Sequence, residues 1–343
     1  MHASDIYLHS ACTALPGAAV DNAALARRFG MPALWEQWVD SFIGTRSRYL
    51  AIDLDTGQIS HSLADLGETA ARRALAGAGL TPDAVDVIVM GTATPDALMP
   101  ATVNVIADRL GVNRLPTYQL QSGCAGAIEA LDVAAQSLLT GRYETALVLG
   151  GDVGVKHYDF SVEFAALPPE QQVNALLFGD GAGAAVLRTR PAPGAPRIRH
   201  TFVEFAGLGR PPGQVVEWFG QADRGSGQPG GAEDYKAIEA LVPVMAGEIL
   251  EALLRDLDWK QGELDFILPP QLSGRMSERI TRELAVPEAR VVTCVHETGN
   301  DGNALVFHQL ERLLPDMSSG DRAIAIAVES SKWIKAGLAL EAE

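Results

Sequence analysis

The sequence predicts an α/β protein made of two similar halves layered around central sheets. Three observations carry this prediction. Short Val/Ile/Leu/Ala runs at 86–90, 146–149, 184–187, 265–268 and 323–328 are apolar on both faces, so the strands they form need helices on both sides. Segments with helical apolar spacing alternate with these runs. The order also repeats: 235–257, 265–268, 277–284, 290–294 and 323–328 echo 65–78, 86–90, 101–110, 117–121 and 146–149 at low identity. We read this as an internal duplication, with one half at 1–190 and the other at 191–343.

Taken in order, residues 6–8 open a strand and Pro16-Gly17 turn the chain. Residues 22–42 look helical, with a break near Gly30 and Pro32. The helix at 65–78 is apolar at Leu66, Ala70, Ala74 and Leu75, and Gly79 ends it. A buried strand at 86–90 and a helix at 101–110 follow. Residues 118–121 are extended and lead through Ser122-Gly123 to Cys124 and a helix. That helix is apolar at Ile128, Leu131, Ala134, Ala135 and Leu138. Gly150-Gly151-Asp152 stops the strand at 146–149, and the Pro-rich piece 190–196 marks the boundary between halves. The Gly-rich stretch 220–231 reads as a surface loop.

Composition narrows the function. With 343 residues and 47% hydrophobic content, the chain has enough apolar material for a large core. A formal net charge of −16 argues against a nucleic-acid partner and against an anionic membrane surface. The sequence shows neither a leader nor a long apolar run, so a cytoplasmic protein is expected. Cys12, Cys124 and Cys294 are far apart and form no CxxC pair, which leaves no motif for zinc or another metal.

Cys124 is the first candidate for chemistry. It sits at a strand-to-helix turn, where free N–H groups and the helix dipole favour a thiolate. Gly123 and Gly126 leave room beside the sulfur. A nucleophile for acyl transfer and a buried structural cysteine are both open on this local evidence.

Three strings in this order carry a resemblance: QSGCAGA around Cys124, ALVLGGD at 146–152 and FGDGAGAAVL at 178–187. They resemble the ketoacyl-acyl-carrier-protein synthase III group of the thiolase superfamily, over nearly the whole chain. The resemblance implies the thiolase fold, a five-layered αβαβα sandwich from two duplicated halves, and a homodimer. It implies Cys124 as the acyl-accepting nucleophile and a coenzyme A or acyl-carrier-protein thioester as donor, with no permanently bound cofactor. Met99 matches the residue that enters the partner's pocket, and Trp38 matches an aromatic residue near the coenzyme A adenine. The oxyanion donors would be the Cys124 N–H and one from the Ser330-Ser331 turn.

The departures from the family redirect the reading. Decarboxylating members carry Pro-His-Gln where this chain has Pro269-Pro270-Gln271, and proline moves no proton. Gly299-Asn300 survives; Asn300 serves either the loop backbone or the substrate. The loop 295–303 supplies a histidine, His296, and a carboxylate, Asp301, which would complete a nucleophile–base–orienter set with Cys124. This pattern resembles a non-condensing branch of the family tied to antibiotic pathways. The expected activity is transfer of an acyl group from Cys124 to a hydroxyl or amine acceptor. The alternatives are a decarboxylative carbon–carbon condensing enzyme with an altered site and an inactive partner subunit. Asp180 in the 178–187 string is assigned a structural turn, and His157, His200 and His308 are assigned to surface or core.

Overall fold

The structure, a computed structural model, describes residues 5–157, 163–167, 169–218 and 231–343. The expected surface loop at 220–231 therefore falls almost wholly outside the described residues.

The strands in chain order are β1 (Tyr7–Ala14), β2 (Val20–Asp21), β3 (Ser47–Arg48), β4 (Val87–Thr92), β5 (Thr117–Gln121), β6 (Thr145–Asp152) and β7 (Gly181–Arg188). They continue with β8 (Arg197–Phe205), β9 (Gln214–Val216), β10 (Gly231–Glu233), β11 (Phe266–Leu268), β12 (Arg290–Val291), β13 (Arg322–Glu329) and β14 (Ile334–Glu341). The helices are α1 (Asn22–Arg28), α2 (Ala33–Trp38), α3 (Leu63–Gly77), α4 (Thr102–Leu110) and α5 (Gly126–Leu139). After these come α6 (Pro169–Leu177), α7 (Tyr235–Leu257), α8 (Gly274–Leu284), α9 (Val295–Thr298) and α10 (Leu305–Leu313).

Ten strands run in the order β12-β11-β13-β14-β8-β1-β7-β6-β4-β5. β1 and β8 meet only at Tyr7 opposite Arg197, so this row is two five-stranded sheets joined at a corner. Read outward from that corner, β1-β7-β6-β4-β5 and β8-β14-β13-β11-β12 have the same plan. In each sheet the three outer strands are parallel and the inner ones antiparallel.

Three packed cores define five layers. α3 and α4 cover one face of the first sheet through Leu66, Leu75, Val103 and Ile106 against Ile88 and Leu147. α7 and α8 cover the far face of the second sheet through Ile249, Leu253 and Ile280. Between the sheets, α5 and α10 interleave Ile128, Leu131 and Leu138 with Phe307 and Leu310. Each such buried side chain contributes about 1.5–3 kcal/mol relative to exposure. The central layer holds α5 rigidly, and with it the position of Cys124.

Differences from the expected elements have local causes. α3 starts at Leu63 rather than 65, because Ser62 and Asp65 form a reciprocal capping box. α8 starts at Gly274 because the Ser273 side chain caps Met276 N–H. The strand expected at 290–294 is only two residues long. Beyond it the Gln271 side-chain oxygen accepts from Cys294 and Val295 N–H at 2.7 and 3.0 Å, which starts the short α9. β8 and β14, absent from the expected set, join the second sheet beside β13.

Candidate active site

Cys124 lies two residues before α5, at the meeting point of two cavities. The first, of about 180 Å³, is lined by Phe42, Ile43, Ile238, Val242, Pro270 and Met276. The second, of about 380 Å³, is lined by Phe29, Ala93, His157, Phe164, Val215 and Val216. Both also touch Phe178, Gln214, Glu233, Asn300 and Gly302. The sulfur therefore faces two largely apolar chambers with a few polar groups at the shared wall. This layout leaves room for a ligand on each side of the thiol.

The electrostatics around the thiol are opposite to those expected from a bare helix end. Burial pushes the Cys124 thiol well above the ordinary range, and Glu329, Asp152 and Glu233 push it further. These surroundings favour the neutral thiol over the thiolate. Glu329, at the end of β13, is 2% exposed. Its carboxylate accepts from Ser331 N–H at 2.7 Å and is bonded by Cys124 N–H. A buried carboxylate thereby takes up Cys124 N–H and Ser331 N–H, which were expected to serve an oxyanion; Ser330 lines the first cavity. Glu329 also explains Gly123. A Cβ there would lie 1.9 Å from Glu329 Oε2.

Asp152 closes β6 behind the thiol. One carboxylate oxygen accepts from Ala93 N–H at 2.8 Å and from Thr94 N–H and Oγ1–H at 3.0 and 2.9 Å. The other accepts from the N–H and Nδ2–H of Asn303, both at 2.9 Å. Burial raises the Asp152 carboxyl in spite of these donors. Asn303 Nδ2 also donates to Ser122 O at 3.1 Å, which ties the turn before Cys124 to the 299–304 loop. Glu233 ends β10, opposite Gln214 on β9. Gln214 Nε2 donates to its carboxylate at 2.5 Å, and the Tyr235 side chain bonds it too. Burial raises the Glu233 carboxyl.

The expected set Cys124–His296–Asp301 is not assembled, and this corrects the sequence reading. α9 turns His296 away from both cavities. Its Nδ1 pairs with Gly44 O at 2.7 Å, and Nε2 lies 3.9 Å from Glu278 Oε1. Asp301 is fully buried and faces His308, with Nε2 to Oδ2 at 2.9 Å. Asn300 lines both cavities, while its Oδ1 accepts from Gly302 N–H at 3.1 Å. Trp38 lines neither cavity; it is exposed and stacks on Phe42, which lines the first. Met99 is 87% exposed, beside exposed Leu98. Asp180 does hold a turn: it accepts from Ala51, Gly154 and Val155 N–H at 2.7, 2.7 and 3.2 Å.

Glu233, Asp152, Asn303 and Glu329 were missed from sequence. Asp152 ends a buried strand after two glycines, a signal that was available. Glu329 directly precedes the Ser330-Ser331 turn, where the sequence points to a backbone donor and not to a side chain. Glu233 follows a Gly-rich stretch and gives no local signal.

A cysteine at the head of a helix buried between two sheets of the same plan, beside two cavities, is the arrangement of a thiolase-fold enzyme. Residues 118–204 match the family model for 3-oxoacyl-[acyl-carrier-protein] synthase III, and residues 41–158 match that for the thiolase N-terminal domain. The β-ketoacyl-[acyl-carrier-protein] synthase III of Neisseria meningitidis is 29% identical over 85% of this chain and 85% of its own. Synthase III 3 of Streptomyces coelicolor is 29% identical over 91% and 90%. Among solved structures, AbyA1, a tetronic acid condensing enzyme, is 55% identical with a TM-score of 0.95 over 98% of this chain and 99% of its own. The synthase III of Pseudomonas aeruginosa shares the fold at 24% identity and a TM-score of 0.83, over 98% of both chains. The chain belongs to the ketoacyl-acyl-carrier-protein synthase III-like group of the thiolase superfamily. Among the described residues, no helix is long and apolar enough to cross a membrane.

Proposed function

We propose that this chain is a condensing enzyme that joins two thioester-borne substrates without decarboxylation. The observation that carries the reading is Pro270 in the wall of the first cavity, where decarboxylating relatives carry histidine, together with carboxylates beside Cys124. The likeness to a tetronic acid condensing enzyme supports a product of that class. A tetronic acid ring contains one ester oxygen and one 1,3-dicarbonyl carbon. It divides into a 3-oxoacyl piece and a 2-hydroxyacyl piece, each supplied as a coenzyme A or carrier-protein thioester.

Cys124 takes the 3-oxoacyl group, and the donor thiol leaves with the cysteine proton. The acceptor hydroxyl then attacks the acyl carbon, an ester forms, and Cys124 is released. The acidic carbon between the two carbonyls closes the ring on the acceptor's thioester and expels its thiol. No carbon dioxide is formed, so no decarboxylation enolate has to be stabilised at position 270. Acyl transfer to a hydroxyl or amine is the activity expected from sequence, and its hydroxyl form is the first of these two bond-forming steps.

The test supplies acetoacetyl and glycolyl N-acetylcysteamine thioesters. Mass spectrometry should find the acetoacetyl group on the parent protein but not on Cys124→Ala, and then a 3-acyl tetronic acid. An ester without ring closure would reduce the activity to acyl transfer. Carbon dioxide released from a malonyl thioester with a ketoacyl product would establish the decarboxylative reaction instead.

A further inference from the structure

The site needs a base, and the histidine expected to supply it is elsewhere. The geometry points to Glu233 as the catalytic base that takes the proton of the acceptor hydroxyl as the acyl group leaves Cys124. This rests on the proposed condensation. Glu233 lines both cavities, so it borders the space where donor and acceptor meet. It is one of three carboxylates whose charge acts on the Cys124 thiol. The other two are committed elsewhere. Asp152 borders the second cavity, but both its oxygens are filled by donors from Ala93, Thr94 and Asn303; Glu329 lines neither cavity and is bonded by backbone N–H groups. Asp301 and His296 line neither cavity, and His157 lines only the second.

Glu233 is also held in place. Pairing of β10 with β9 sets its backbone, and Gln214 Nε2 and Tyr235 fix the carboxylate. The raised carboxyl makes it a better proton acceptor than an exposed glutamate. In the step assigned to it, the hydroxyl proton passes to Glu233 and the new O–C bond forms. The C–Sγ bond breaks, and the proton moves on to the departing Cys124 thiolate. That thiolate is strongly basic in this acidic surrounding, so the return of the proton is downhill.

The experiment loads Cys124 with acetoacetate and follows loss of the acyl mass with two acceptors. Methyl glycolate is a hydroxyl acceptor that needs a base and has no thioester to close on. Hydroxylamine is a strong neutral nucleophile that needs none. Glu233→Gln should slow discharge to methyl glycolate by about 100-fold or more while hydroxylamine changes little. Glu233→Asp should recover part of the loss. Equal slowing with both acceptors would make Glu233 a structural residue and overturn the proposal. So would an unchanged methyl glycolate rate, or a parent acyl-enzyme that never discharges to methyl glycolate. Failure of ring formation from glycolyl thioester, with the methyl glycolate result intact, would overturn only the condensation.

Discussion

Asp180 offers a prediction whose size can be worked from the structure. Its carboxylate lies 1% exposed between three loops and accepts N–H groups from Ala51, Gly154 and Val155. Burial, offset in part by those donors, moves it from 3.8 up to about 6. The folded protein therefore binds this proton more tightly than the unfolded chain does. The resulting stabilisation is fully present below the unfolded value and is lost as pH rises through about 6. Between pH 7.5 and pH 5 this one group should add about 1.4 kcal/mol to stability. Asp180→Asn removes the titration and sets an amide N–H against a backbone donor, which costs about 1–3 kcal/mol. The gap between parent and variant should then widen by about 1.4 kcal/mol from pH 7.5 to pH 5. Urea unfolding at both pH values, at fixed protein concentration, measures the gap. A gap that stays constant, or narrows toward pH 5, would refute the account of Asp180.

Three further outcomes are expected. His296→Ala should leave acylation of Cys124 and discharge to hydroxyl acceptors within about twofold of the parent. A loss of about 100-fold would restore His296 as the base. Gly123→Ala should destabilise the protein by about 1–3 kcal/mol, because its Cβ collides with Glu329. In the Glu329→Ala background that penalty should shrink, and chemical unfolding of the four proteins checks it. The parent should be a homodimer by light scattering, with Met99→Asp weakening it. A parent monomer at micromolar concentration would remove Met99 from any partner's pocket.

Much of the fold could be read from the chain because its strongest patterns are the buried ones. The runs at 86–90, 146–149 and 323–328 coincide with strands, and the stripe Ile128–Leu131–Leu138 packs in the central core. β8 was not recognised because its residues are only half buried and mix Arg, His and Glu with apolar positions. The site was less legible. The 295–303 loop, expected beside the cysteine, reaches it through Asn300 and Asn303. Which side chains point inward is decided by a one-turn helix and by the Gln271 cap, and neither has a sequence period. The carboxylates that set the thiol's charge come from β6, β10 and β13, distant in sequence from one another and from Cys124.

The acidic surrounding of Cys124 also determines how the resting protein meets reactive small molecules. Peroxides and alkylating reagents consume thiolates, and their rates fall with the thiolate fraction. Burial, Glu329, Asp152 and Glu233 all disfavour the Cys124 thiolate, and so disfavour that target. The same carboxylates thus shield the sulfur from such reagents. A reagent aimed at this sulfur would gain from filling one of the two chambers and from carrying an acceptor for its proton.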